Sequence, residues 1–117
     1  MPAQPLDLLQ GTLDLLILRT LAGQPMHGYG ISRWIRQRTG DALSIQDAAL
    51  YQALRRLERK RWVEADWGVT DTHRRARYYT LTPAGEKQLA REVSTWKRYT
   101  EAVSRVLAPA ASGEVRA

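Results

Sequence analysis

Residues 50–85 read LYQALRRLERKRWVEADWGVTDTHRRARYYTLTPAG, and this stretch decides how the chain folds. Its first part is helical by periodicity. Leu50, Leu54 and Leu57 recur at i, i+4 and i+7, the spacing of one helix face. With Leu50 at 0° and a step of about 100° per residue, these three centre near 10°. Ala48, Gln52, Arg55 and Arg59 fall between about 140° and 200°, on the opposite face, with Tyr51 and Arg56 on its flanks. The spacing predicts a helix over residues 47–61. The period then changes from 3.6 to 2. Val63, Ala65 and Trp67 alternate with Glu64 and Asp66, and Arg77, Tyr79 and Leu81 alternate with Tyr78 and Thr80, so two strands are expected. Residues 68–75 between them are polar and turn-prone. Thr82 followed by Pro83 is a helix start: a hydroxyl to cap the first turn, then a proline where no amide hydrogen is needed.

Helix, basic hairpin, helix is the order of a winged helix-turn-helix. Such a module places one helix in the major groove of DNA and lays the hairpin against the backbone. The outward face of the 47–61 helix suits that task, because Gln and Arg reach base edges while Arg and Tyr also hold phosphates. The alternative is an ordinary solvated face. Arg74 and Arg75 at the hairpin tip and Arg77 on the returning strand are the expected phosphate contacts, against the alternative of strand-edge charges that block aggregation. The DNA-binding set is therefore Ala48, Tyr51, Gln52, Arg55, Arg56, Arg59, Arg74, Arg75 and Arg77.

Outward from this stretch, residues 6–22 are apolar nearly all round (Leu8, Leu9, Leu13, Leu15, Leu16, Ile17, Leu18, Leu21), which predicts a helix buried on more than one side, the second side another subunit. A helix over 29–38 turns Ile31, Trp34 and Ile35 inward, and Thr39-Gly40 ends it. His27 at its start reads as a capping or packing residue. Residues 43–45 are expected to be briefly extended. The last helix, residues 83–107, spans roughly 37 Å, too long for one small domain to cover. Leu89, Trp96 and Val103 lie at heptad spacing on it, Val93 and Leu107 lie four residues beyond Leu89 and Val103, and Tyr99 and Val106 widen the stripe. The expected dimer interface is Leu9, Leu89, Val93, Trp96, Tyr99, Val103 and Leu107. Three parts follow: residues 1–81 as the DNA-binding domain with its N-terminal helix, 82–107 as a dimerisation helix, and 108–117 as a disordered tail. The fold class is mainly α with a small β-hairpin.

Composition agrees. The 117 residues suffice for one compact domain, at 44% hydrophobic and 26% charged. The net charge is +6 and the pI about 10.2, which favours an anionic partner such as nucleic acid or a membrane surface. Residues 55–77 hold eight basic and four acidic side chains, a net of +4, so most of the excess sits in the helix and hairpin. There is no cysteine, which excludes disulfides, thiol redox chemistry and thiolate metal sites. No apolar run is long enough for a membrane span, no signal peptide is evident, and a cytoplasmic location is expected. No phosphate loop, metal-ligand cluster or nucleophile–base set emerges, so no catalytic residue, cofactor or metal is assigned, and His73 is not read as a ligand.

The same residues resemble the PadR family of bacterial transcriptional regulators. Leu50-Tyr51-Gln52-Ala53-Leu54 matches the LYPAL-type start of the family's recognition helix, and residues 74–85 match its arginine-rich wing followed by YYxLTxxG. The HGYGI run at 27–31 and GTLDLLIL at 11–18 match as well, and the likeness covers about residues 6–107. The single short C-terminal helix resembles the smaller, acidobacterial-type subfamily. Gln52 departs from the family's proline, adding a donor and a side chain able to read bases, and Arg61 stands where a helix-ending glycine is common. The resemblance implies double-stranded DNA as partner, a homodimer and repression of transcription. Some members release DNA when a small aromatic or drug-like molecule binds between subunits. On that pattern Trp96 is the candidate contact for an aromatic effector, against the alternative that it only packs the interface. A winged-helix module that binds protein without an operator is the second functional reading.

Overall fold

The computed structural model describes Leu6, Leu8 and residues 11–110. In chain order the elements are α1 (Thr12–Leu21), β1 (Met26–His27), α2 (Gly28–Arg38), α3 (Asp47–Arg59), β2 (Val63–Val69), β3 (Arg75–Leu81) and α4 (Pro83–Leu107). Of the expected interface and tail, Leu9 and residues 111–117 lie outside the described residues.

The first helix is shorter than its apolar run. It starts at Thr12, after Gly11 with φ +87°, a left-handed conformation that breaks the helical path and that only glycine takes without strain. Leu6 is extended instead. It forms a parallel bridge with Leu43, and its N–H donates to the Ala42 carbonyl at 2.8 Å. The expected extended piece near residue 43 therefore exists because it has this partner. From Thr12 on, α1 lies at the centre of the domain, touching α2, α3, α4 and β3. Ile17 and Leu18 are fully buried.

The core joins these residues to Ile31 and Ile35 of α2, Leu50, Ala53, Leu54 and Leu57 of α3, and Val63 and Tyr79 of the hairpin. Each helix contributes one face, as its periodicity requires. The α2 start is capped by His27, whose Nδ1 accepts from the Gly30 N–H at 3.0 Å. Between α2 and α3, the Thr39 hydroxyl donates to the Ile35 carbonyl at 2.9 Å and accepts from the Leu43 N–H at 3.1 Å, fixing the angle of the helix-turn-helix.

The sheet has strand order β1-β3-β2 and is antiparallel. β1 is two residues long, pairing Met26 with Tyr79 and His27 with Tyr78. β2 and β3 pair from Val63↔Leu81 to Val69↔Arg75. Both strands run past their expected ends, because the sheet continues beyond the core into solvent. The tip is closed by the Thr70 N–H donating to the Arg74 carbonyl at 2.9 Å, with His73 at φ 62°.

α3 ends at Arg59, two residues before its expected end, since Arg61 takes φ 60°. The Arg61 carbonyl accepts from the Thr82 hydroxyl at 2.7 Å, and the same oxygen of Thr82 accepts from the Gly85 N–H at 3.0 Å. One threonine thus caps α4 and ties its first turn to the end of α3. Gly85 is needed here: a Cβ on it would collide with the Trp62 carbonyl. Beyond Leu89, which packs on the core, α4 carries Trp96, Tyr99, Val106 and Leu107 exposed at 37%, 60%, 83% and 76%, while Val93 and Val103 are half-buried.

Candidate nucleic-acid interface

α3 is held by its leucines, so its opposite face is presented outward. Ala48, Gln52, Arg55 and Arg59 are exposed there. Tyr51 sits on the flank, its ring packed against Gly28 so closely that a Cβ would lie 2.6 Å from its hydroxyl. The ring is thereby fixed while 44% of the residue stays exposed. Among the described residues, Arg55, Arg59 and Arg74 form no ion pair, so their charge is available to an external anion.

Two of the expected DNA contacts are engaged within the chain. Arg56 donates to Asp14 of α1 at 2.8 Å. This clamps α3 to α1 and directs the guanidinium away from Arg55. Arg77 donates to Glu58 of α3 at 2.9 Å and lies 5.9 Å from the Tyr79 ring. It bridges the hairpin to α3 rather than standing free. Arg75 is stacked on Trp67, its guanidinium 4.5 Å from the ring centroid.

Between α3 and the hairpin runs a groove of about 1120 Å³, walled by Tyr51 and Arg55, by Tyr29 and Arg33 of α2, and by Trp67, Arg74, Arg75 and Arg77 of the hairpin. Five arginines against the single acid Asp71 make it strongly electropositive. Its floor includes Tyr79, whose phenol is pushed above its ordinary pKa by burial, with Arg77 opposing.

Tyr29, Arg33 and Trp67 were not picked out as functional from the sequence. Arg33 and Tyr29 reach the groove only because the short strand β1 swings the start of α2 against the hairpin, and a two-residue strand leaves no periodicity to read. Trp67 obeys the inward alternation of Val63 and Ala65, but β2 has left the core by that point, and the residue is 59% exposed.

Three helices packed around α1, with a basic hairpin following the exposed helix, define a winged helix-turn-helix. The model of the Transcriptional regulator PadR-like family matches residues 17–91, and the chain belongs to that family. It is 34% identical over 97 residues to an uncharacterised protein X of Lysinibacillus sphaericus, a match spanning 83% of this chain and 89% of that one. It is 39% identical over 85 residues to an uncharacterised 37.1 kDa protein in a transposon of Streptomyces fradiae, but spans only 23% of that protein. Among solved structures, a transcriptional regulator from Clostridium thermocellum matches with TM-score 0.75 at 30% identity, covering 82% of this chain and 90% of that one. A PadR family transcription regulator from Clostridium difficile matches with TM-score 0.73 at 25% identity, covering 84% and 100%.

Proposed function

We propose that the protein is a homodimeric repressor that binds operator DNA through α3 and the β2–β3 wing. The observation that carries this reading is the exposed, unpaired face of α3. Gln52 and Arg55 are suited to base edges, Arg59 to phosphates, and a groove rich in arginine adjoins them. Ala48 is small enough to let the helix approach the bases. Arg74, at the hairpin turn and without an ion pair among the described residues, supplies affinity along the backbone.

A dimer is supported by α4. Its stripe of half-buried Val93 and Val103 with exposed Trp96, Tyr99 and Leu107 is left open by the described residues, and Leu89 joins that stripe to the core. Two subunits joined through α4 set their recognition helices about one helical turn apart, roughly 10 bp centre to centre. Repression then follows from occupancy of promoter DNA, and the cytoplasm is where such DNA lies. Among the described residues, no helix is long and apolar enough to cross a membrane.

Trp96 is the contact we propose for a small aromatic effector. Its ring lies 6.4 Å from that of Tyr99, and a two-fold brings the partner's pair close. A planar molecule stacked there weakens DNA binding by its differential affinity for the two subunit arrangements. The test is titration with planar aromatics, followed by tryptophan fluorescence and operator affinity. The effector reading requires a signal that Trp96→Leu abolishes, together with weakened binding. Bound compounds that leave operator affinity unchanged contradict it.

A further inference from the structure

Trp67 is a large, mostly exposed indole in the wall of a groove suited to a polyanion, and phosphate contact gives it no task. An indole has one N–H donor and an apolar face, so it is a poor phosphate ligand. The β2–β3 register sets Trp67 opposite Arg77 and Val69 opposite Arg75. Arg75 therefore reaches diagonally back to lie over the Trp67 ring at 4.5 Å. Arg77, on the other side, is anchored to Glu58 at 2.9 Å. The inner face of the wing is thus braced against α3 and carries one arginine already held in place. Arg74, next to it at the turn, has no such support.

We propose that the Trp67–Arg75 stack is a minor-groove reader that selects A·T-rich flanks on either side of the sequence read by α3. This rests on the reading of α3 as a major-groove helix. With α3 in the major groove, the channel between α3 and the wing takes one sugar–phosphate strand, and the far side of that strand is the adjacent minor groove. The indole face then meets deoxyribose, which is uncharged and apolar. Arg75, held on the ring, projects beyond the strand into the minor groove. Guanidinium is weakly hydrated and loses less freedom when it is already stacked. A·T tracts narrow that groove and deepen its negative potential, whereas guanine places an amino donor in it. The consequence is specificity at base pairs that α3 does not touch.

The experiment starts from a random duplex pool enriched on the wild-type protein, which defines the core site. The core is then held constant while the flanking pairs are made A·T, G·C or inosine·C, the last keeping the major-groove edge of G·C without its minor-groove amino group. Wild type should bind A·T and inosine·C flanks about tenfold tighter than G·C flanks. Trp67→Ala and Arg75→Ala should lose this preference while still selecting the core. Trp67→Phe should retain most of it, and Arg74→Ala should weaken all three duplexes alike. Trp67→Ala should melt at the wild-type temperature, since the side chain is not in the core. Equal affinity of wild type for the three flanks, or a preference that survives Trp67→Ala, would overturn this proposal alone. Failure to enrich any duplex would overturn the reading of α3 and this proposal with it.

Discussion

Arg55 and Arg56 are adjacent in sequence and serve different ends. Arg56 is turned onto Asp14, whereas Arg55 stands exposed on the groove wall. Arg55→Ala should cost about 1–3 kcal/mol on the operator and relax its selectivity, while Arg74→Ala should weaken operator and random DNA equally and flatten the salt dependence. Titrations of both variants at several salt concentrations check this, and an equal loss on both DNAs for Arg55→Ala contradicts the role given to it. Arg56→Ala should instead lower stability, by less than about 1 kcal/mol because the pair is partly solvated, and leave the salt slope intact. Tyr79 makes a prediction about pH. Its folded pKa lies above the unfolded value of about 10 because burial favours the neutral phenol. Its stabilising contribution is complete below pH 10 and is lost as pH rises through the folded pKa. Denaturation midpoints between pH 9 and 12 should fall less steeply for Tyr79→Phe than for wild type.

At the scale of elements, the junction of α3, the wing and α4 shows how far local sequence reaches. Thr82-Pro83 announced the start of α4 because capping is a short-range matter, and the oxygen of Thr82 does accept the Gly85 N–H. The leucine spacing of α3 and the alternation of the strands were legible for the same reason. The start of α1 was not, since its apolar residues continue upstream of Gly11, and only the backbone conformation there, together with the Leu6–Leu43 bridge, ends the helix. Nor was the pairing of Arg56 with Asp14, 42 residues away, or that of Arg77 with Glu58, because a helical wheel shows which way an arginine faces but not which acid another element brings to it. The same junction yields two stability predictions. Gly85→Ala should destabilise by about 1–3 kcal/mol through overpacking against Trp62. Arg61→Gly should stabilise by up to about 1 kcal/mol, since it relieves a left-handed residue with a Cβ. Chemical denaturation reads both, and a stabilising Gly85→Ala would contradict the packing described for α4.

The whole molecule combines a winged helix-turn-helix built on one core with a 25-residue helix on which Trp96, Tyr99 and Leu107 stand exposed. In the proposed dimer these two features act together: the helix sets the spacing of the two DNA-binding units, and that spacing sets the operator. Trp96→Asp should therefore give a monomer whose domain remains folded, with duplex affinity reduced far more than the loss of any one arginine explains, because two-fold avidity is gone. Sedimentation of the free protein and of its complex with a duplex drawn from the enriched pool is the decisive test of the proposed dimer on DNA. A dimer is expected at micromolar concentration, bound as two subunits per duplex, with protected half-sites about 10 bp apart. A monomer that binds no duplex at low salt would contradict it.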